Sequence, residues 1–278
     1  MTISFSTLLL QVDPPASDFT DVLFMVVLSV MLIVLSAMSG RVNMGFQVPG
    51  FPRPLSASRK KILLKRFPYY VNLSENKRRR FEQKVQYFIH VKEFIPRQIP
   101  VVTEEMKVLI AACAVQLTFG YPKIFLSHFK RILVYPDNYY STINKTYHKG
   151  EVNPRMQAIV LSWKAFVEGY IDQEDGRNLG LHEMAHALRL ENLILNAEYN
   201  FLDAEVLESW QRLADEEMIN IANGQSSMFR DYAGTDPDEF FSVAIENFFE
   251  RPEKFKGLMP NLYGILVLLL KQDPLNSN

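Results

Sequence analysis

Residues 175–188 read DGRNLGLHEMAHAL, and the HEMAH pattern inside them restricts the fold more than any other stretch. The surrounding run, 178–190, is predicted to form a helix. On a helix, side chains four positions apart share a face, so the imidazoles of His182 and His186 can reach one metal ion. Glu183 projects about 100° further round the helix, which places its carboxylate beside the ion's open coordination position rather than on the ion.

This pattern predicts metal-dependent hydrolysis. Imidazole nitrogens suit Zn²⁺, so we expect one zinc ion per chain. Glu183 could take a proton from a metal-bound water and pass it to a leaving amine, which is the role of a general base. The competing interpretation is a pair of ordinary helix histidines beside a surface glutamate, with no metal between them.

A catalytic zinc site needs a third protein ligand. The metzincin pattern would require Gly at 189 and His at 192, but the chain has Arg189 and Asn192 there, so that pattern is excluded. A carboxylate further along the chain is therefore expected as the third ligand. The candidates are Glu198, Glu205, Glu208, Glu216, Glu217, Glu239 and Glu246.

Glu239 differs from the other candidates because its neighbours are apolar. It lies in a segment where Thr235 or Asp236 can cap a helix and Pro237 fits the first turn. Phe and Val side chains follow it directly, and a carboxylate in apolar surroundings needs a partner such as a metal ion. Glu246 lies seven positions on, near the same face, where it could accept a hydrogen bond from a ligand histidine.

The rest of the chain after about residue 60 predicts an α+β domain that is mostly helical with a small sheet. Further helices are expected at about 74–94, 103–117, 203–222, 238–250 and 260–271, and strands at 131–135 and 157–163. The polar segment 137–156 is expected to be a loop. The strand at 159–163 is expected to be an edge strand, which in a peptidase would pair with an extended substrate.

Composition excludes several other classes of protein. The chain has 278 residues and a formal net charge of −1, which argues against a generic nucleic-acid binder, so no nucleic-acid partner is expected. Its single cysteine, Cys113, excludes an intrachain disulfide and a zinc site built from cysteines alone. Because alanines and a valine surround Cys113, this cysteine is predicted to be a small buried hydrophobic residue rather than a nucleophile.

The distribution of charge predicts a membrane anchor. Nineteen uncharged residues separate Asp21 from Arg41, about the length needed to cross a bilayer. Residues 41–97 then hold fourteen Lys and Arg against three Glu, whereas residues 1–40 hold no basic side chain. Because positive flanks stay in the cytoplasm, we expect a single-pass protein of the inner (cytoplasmic) membrane whose main domain faces the cytoplasm. A signal peptide and a buried core helix are the alternatives.

The predicted organisation has four parts. An extracytoplasmic tail covers residues 1–21, and a transmembrane helix covers residues 22–40. A basic tether with several prolines and glycines follows at 41–60. The metallopeptidase domain then occupies residues 61–278.

The segments HEMAHALRLEN and DYAGTDPDEFFSVAIENFFERP together resemble the Mlc titration factor A family of zinc peptidases. A more distant likeness is to the catalytic domain of anthrax lethal factor. The resemblance implies a zincin-like fold and aminopeptidase-type cleavage of a peptide or protein substrate. It also implies that His182, His186 and Glu239 bind zinc, that Glu183 is the general base, and that Tyr232 stabilises the oxyanion.

Two other functions stay open at this stage. Members of the family interact with a transcriptional repressor, which suggests a membrane-tethered regulatory module that captures a protein partner and whose metal site is structural or vestigial. A metal-dependent hydrolase that acts on something other than peptides is the third hypothesis.

Overall fold

The structure is a computed structural model that describes residues 23, 24, 27–29, 31, 54–123, 125–141, 145–172, 174–194 and 201–276. The chain divides into two units, Met1–Phe51 and Pro52–Asn278, and the account below concerns the second. The predicted tail 1–21 and membrane helix 22–40 lie outside the described residues, apart from six helical positions. Among the described residues, no helix combines the length and the apolar character needed to cross a membrane.

The second unit alternates helices with short strands. The helices are α1 Ala57–Arg66, α2 Pro68–Val71, α3 Glu75–Val91, α4 Glu104–Thr118, α5 Trp163–Ile171, α6 Leu179–Ile194, α7 Ala204–Ala222, α8 Pro237–Glu250, α9 Pro252–Leu258 and α10 Pro260–Leu270. The strands are β1 Glu93–Pro96, β2 Arg131–Tyr135, β3 Tyr139–Ser141, β4 Thr146–His148, β5 Gly150–Asn153 and β6 Ala158–Ser162. Short 3₁₀ helices occupy Asp231–Gly234 and Pro274–Asn276. The predicted α+β architecture, mostly helical with a small sheet, is confirmed.

The sheet has the strand order β1-β2-β6-β5. Strands β1, β2 and β6 are parallel, and β5 runs antiparallel to β6 with Gly150 opposite Leu161. Two sequence-based expectations are therefore wrong. The strand at 158–162 is internal, with β5 outside it, and the predicted loop 137–156 contains β3, β4 and β5. These strands have only three or four residues, too few for an alternating pattern to be recognised.

Helix α4 forms the centre of the domain, as its apolar sequence predicts. Thr103 caps it by accepting a hydrogen bond from the amide of Met106 at 3.3 Å. From Val108 to Thr118 every side chain is buried, and α1, α3 and α6 pack around it. Cys113 is fully buried there, and burial raises the pKa of its thiol to about 12, so it is the buried small residue that was predicted.

Some element boundaries differ from the predicted ones. The helix expected at 74–94 ends at Val91, because the chain turns into β1 to pair with β2. Helices α5 and α9 were not predicted. Helix α1 begins at Ala57, inside the stretch 41–60 that the sequence suggests is a tether, and Ser56 Oγ accepts from the amide of Arg59 at 3.4 Å at its start.

Candidate metal centre

Helix α6 carries the HEMAH pattern and is held firmly at its first turn. Asn178 precedes it, and its Oδ1 accepts from the amide of Leu181 at 3.0 Å while its carbonyl accepts from the amide of His182 at 2.9 Å. Met184 and Leu188 are fully buried on the face that packs into the core. The other face, with the two histidines, is therefore directed at the cleft.

Helix α8 brings the distant carboxylate. Of the two caps that the sequence allows, Asp236 is the one used: it accepts from the amides of Asp238 and Glu239 at 2.8 and 3.0 Å. Pro237 occupies the first turn, as the sequence predicts. The buried residues that follow Glu239, such as Phe240 and Val243, pack α8 against α6. Glu239 is thus placed opposite the histidines by the core packing of its own helix.

The three predicted ligands converge. Glu239 Oε2 lies 3.1 Å from His182 Nε2, and its Oε1 lies 3.6 Å from His186 Nε2. The two imidazole Nε2 atoms are 3.1 Å apart. Within the described parts of the chain, this is the only group of three or more His, Cys, Asp or Glu side chains whose ligand atoms lie within 4.8 Å of one another. Of the other carboxylate candidates, Glu198 lies outside the described residues.

The chemistry of these atoms fits a divalent cation. Nδ1 of His182 lies 2.8 Å from Glu246 Oε1, so the neutral ring carries its proton on Nδ1 and directs the lone pair of Nε2 at the site. Glu239 Oε2 is buried and has no aligned hydrogen-bond donor among the described residues. Two imidazole nitrogens and a carboxylate oxygen thus face one point, where a divalent cation could bind all three.

The electrostatics of the cluster also favour positive charge. Burial opposes a charge on His182, but the nearby carboxylates of Glu239 and Glu246 outweigh burial and raise its pKa to about 10. Burial likewise acts to raise the pKa of Glu239, but the nearby imidazoles of His182 and His186 hold that pKa well below its usual range. A proton therefore binds strongly where a metal ion would otherwise bind.

Glu183 has the environment expected of a proton carrier. Glu183 is 6% exposed, and it lines the cleft together with Gly150 of β5. Burial raises the pKa of its carboxyl to about 7, although His182 and His186 act in the opposite direction. A carboxylate with this pKa can accept a proton and release it again near neutral pH.

Glu246 supports the first histidine, and the hydrogen bond anticipated from the sequence is present. Its Oε1 accepts from His182 Nδ1 at 2.8 Å and from Arg230 Nη2 at 2.7 Å. Its Oε2 accepts from Arg230 Nη1 at 3.1 Å and from the amide of Asn178 at 2.7 Å. Because Glu246 is 1% exposed, this paired guanidinium supplies the opposite charge that a buried carboxylate needs.

Arg230 is the site residue that the sequence analysis missed. Besides its two bonds to Glu246, it donates to the carbonyl of Gly176 at 3.0 Å, so it ties three segments together. The sequence held one indirect signal: Glu246 lies in a hydrophobic helix, and a buried carboxylate requires a cation as well as an imidazole donor. It did not indicate which cation.

Tyr232 lies at the edge of the same cluster. Its ring centroid is 6.3 Å from that of His182, and the guanidinium of Arg230 is 5.8 Å from its ring. The residue is 48% exposed and lines the cleft. Partial burial, together with the nearby carboxylate of Glu239, raises the pKa of its phenol, so the hydroxyl stays protonated and able to donate at neutral pH.

These groups open into a cleft of about 580 Å³. One wall is the segment from Tyr147 to Gly150, which covers the end of β4 and the start of β5. The opposite side is formed by α5 and by the start of α6, and Arg230 and Tyr232 complete the lining. A ligand in this cleft can therefore reach Glu183 and His182 from solvent.

A known protein family matches most of this chain. The sequence model described as glucose-regulated metallo-peptidase M90 matches residues 51–271. The chain belongs to this family. The M90 match covers both helices that supply the candidate ligands, and membership of a metallopeptidase family implies a metal ion.

Individual relatives agree with the M90 assignment. An uncharacterized protein of Synechocystis is 29% identical over 245 residues, covering 81% of this chain and 87% of the relative. Mlc titration factor A of Enterobacter is 26% identical over 226 residues, and that of Escherichia coli 26% over 229, each match covering 75% of this chain and 84% of the relative. The resemblance to the Mlc titration factor A family is confirmed.

Proposed function

We propose that this chain is a zinc-dependent peptidase of aminopeptidase type. The single observation that carries the proposal is the meeting of His182 Nε2, His186 Nε2 and a Glu239 carboxylate oxygen at one point, with ligand atoms all within 4.8 Å. Two imidazoles and one carboxylate form a ligand set typical of catalytic zinc sites that keep a fourth position open. Membership of the metallopeptidase family supports the same reading, and the aminopeptidase preference rests on the family resemblance.

The roles of the chain's own residues follow from their positions. A bound zinc ion would supply a water of near-neutral pKa and polarise the scissile carbonyl. Glu183, whose carboxyl has a pKa of about 7, accepts the water's proton on its carboxylate and delivers it to the departing amine. The protonated hydroxyl of Tyr232 donates a hydrogen bond to the oxygen that gains negative charge.

Strand β5 is suited to hold the substrate backbone. The amide of Ser162 donates to the carbonyl of Lys149 at 2.7 Å, which directs the carbonyl of Lys149 at β6. Because alternate residues of a strand point their backbone groups to opposite sides, the N–H and C=O of Gly150 point to the free edge. An extended peptide can pair with that edge beside Glu183, the role that the sequence analysis assigned to the next strand.

The decisive experiment separates metal binding from turnover. The variant Glu183→Gln keeps the size of the side chain but cannot accept a proton. We expect it to bind about one zinc per chain, as the wild type does, and to lose at least ~100-fold in kcat on amino-acid arylamides and peptides. Unchanged turnover would remove Glu183 from its role, and a wild-type chain that takes up no zinc on reconstitution would refute the whole proposal.

A second candidate function is a regulatory module that captures a protein partner. The name of the relatives, Mlc titration factor A, favours it, since that name describes a titration of Mlc. The variant Glu183→Gln also distinguishes a peptidase from a module that only captures a partner. If the function is capture alone, that variant should bind a regulator as well as the wild type does, and neither protein should hydrolyse peptides. A metal-dependent hydrolase acting on other substrates would instead cleave esters or amides but no peptide.

We further propose that residues 22–40 anchor the chain in the inner membrane, with residues 1–21 outside and the domain from residue 61 in the cytoplasm. The uncharged stretch and the basic residues that follow it support this orientation. A reporter fused after Asn278 should behave as cytoplasmic. Activity of a reporter that works only in the periplasm would overturn the orientation.

A further inference from the structure

Gly150 is packed directly against the carboxylate of Glu183. A Cβ atom built on Gly150 would stand 2.6 Å from both Cγ and Cδ of Glu183 and nearer still to Oε1. Real Cβ atoms essentially never come within 3.0 Å of another heavy atom. The strand can therefore lie this close to the Glu183 side chain only because residue 150 has no side chain of its own.

Neither backbone can retreat to make room for a larger residue. Strand β5 is held against β6, where Gly150 pairs with Leu161. The amide of Ser162 also donates a hydrogen bond to the carbonyl of Lys149 at 2.7 Å. Helix α6 is held by the Asn178 cap and by core side chains such as Met184, which is fully buried. The Glu183 side chain, which borders the open cleft, is the part able to move.

Other glycines in the chain show that this contact is particular. A Cβ on Gly180, in the same helix, would strike Phe166 and Cys113, which are core side chains. A Cβ on Gly264, in α10, would meet nothing within 4 Å. The absence of a side chain at Gly150 thus makes room for the carboxylate of Glu183. Gly264 provides a control, because a methyl group there would contact nothing.

We propose that Gly150 is a positioning residue that sets where the Glu183 carboxylate stands. The edge of β5 confines that carboxylate on one side, so the base is held at a fixed place beside the backbone groups with which a substrate would pair. The proposal rests on the role assigned above to Glu183. A methyl group at position 150 would force Glu183 out of this place and leave His182, His186 and Glu239 where they are.

The kinetic test uses the full chain with G150A and G264A. We expect G264A to match the wild type and G150A to bind one zinc with unchanged affinity, while its kcat falls at least ~10-fold at a nearly unchanged KM, since small misplacements of a catalytic group are costly. In an E183Q background, G150A should add no further loss. A wild-type kcat in G150A, or an equal loss in both backgrounds, would overturn the proposal.

Thermal unfolding of the metal-free chain supplies a readout that is independent of activity. E183A removes the atoms that a methyl at position 150 would strike. G150A should therefore lower Tm by several degrees in the wild-type background and by less than a degree in the E183A background. Equal shifts in the two backgrounds, or failure to fold in both, would place the clash elsewhere and refute the inference. This comparison stays valid if E183Q turns out to be active, so failure of the proposed function and failure of the inference are distinguishable.

Discussion

Replacing Glu246 with glutamine should weaken metal binding although it removes no ligand. Glu246 accepts four hydrogen bonds, two on each oxygen, from His182, Arg230 and the amide of Asn178. Glutamine offers one carbonyl oxygen and one amide nitrogen, and the nitrogen cannot accept. Whichever way the amide is turned, two of the four contacts are lost, and Arg230 loses the charge that it faces.

The size of the effect follows from what Glu246 does for His182. Its carboxylate holds the imidazole proton on Nδ1, at 2.8 Å, and so keeps the lone pair of Nε2 directed at the metal. Loss of such an outer partner typically costs 10- to 100-fold in metal affinity, or about 1.4–2.8 kcal/mol. Glu239→Ala removes a ligand itself, so its loss should exceed that of Glu246→Ala.

The assay is competition for zinc against a chromogenic chelator at fixed pH, with folding checked by circular dichroism. Glu253→Gln is the matched control, because Glu253 is exposed on α9 and outside the cleft. We expect the control to bind zinc as the wild type does. A zinc affinity of Glu246→Gln within twofold of the wild type would refute the supporting role. A larger loss in Glu246→Ala than in Glu239→Ala would show that the wrong carboxylate had been assigned as the ligand.

Three further predictions concern catalysis, metal and stability. Tyr232→Phe should keep zinc and lose roughly 10²-fold in kcat with KM little changed, whereas an unaltered kcat would remove the phenol from oxyanion stabilisation. Chelation should lower Tm, and Zn²⁺ but not Mg²⁺ should restore it, since the site offers two imidazoles; restoration by Mg²⁺ would contradict the zinc assignment. Lys84 is 5% exposed and its Nζ lies 4.3 Å from the centre of the Phe125 ring; burial, with a smaller contribution from Arg80, lowers its pKa from 10.5 to about 8. The unfolded chain then binds the proton more tightly, so Lys84→Met should be more stable than wild type at pH 7, by up to about 3 kcal/mol. In denaturant titrations that advantage should shrink as pH rises from 8 to 10.5, and an advantage independent of pH would contradict the assigned pKa.

The parts of the fold that the sequence predicts are those with strong local signals. Helix α8 begins at Pro237, beside its predicted start at 238, because a cap and a first-turn proline act within a few residues. Helix α4 is central because a run of small and aliphatic side chains has no polar face to present to water. The two histidines are indicated by an equally local signal, because side chains four positions apart on a helix share a face. Glu239 is one of several candidate carboxylates in the sequence, distinguished by its apolar neighbours and by the family resemblance.

The parts that the sequence does not predict depend on contacts between distant segments. Strand β5 has four half-buried residues and no periodic pattern, and it becomes an edge strand only through pairing with β6. From the sequence alone, Gly150 therefore looks like part of a polar loop. A glycine inside a strand is a known sign that another group approaches closely, but the sign cannot be recognised until the strand is known. Arg230 poses the same problem, because its partner Glu246 belongs to another element and only the fold brings them to 2.7 Å. The two candidate histidines can therefore be recognised from residue type and spacing, and Glu239 from its apolar neighbours and the family resemblance, whereas the residues that hold these side chains in place are defined by tertiary packing.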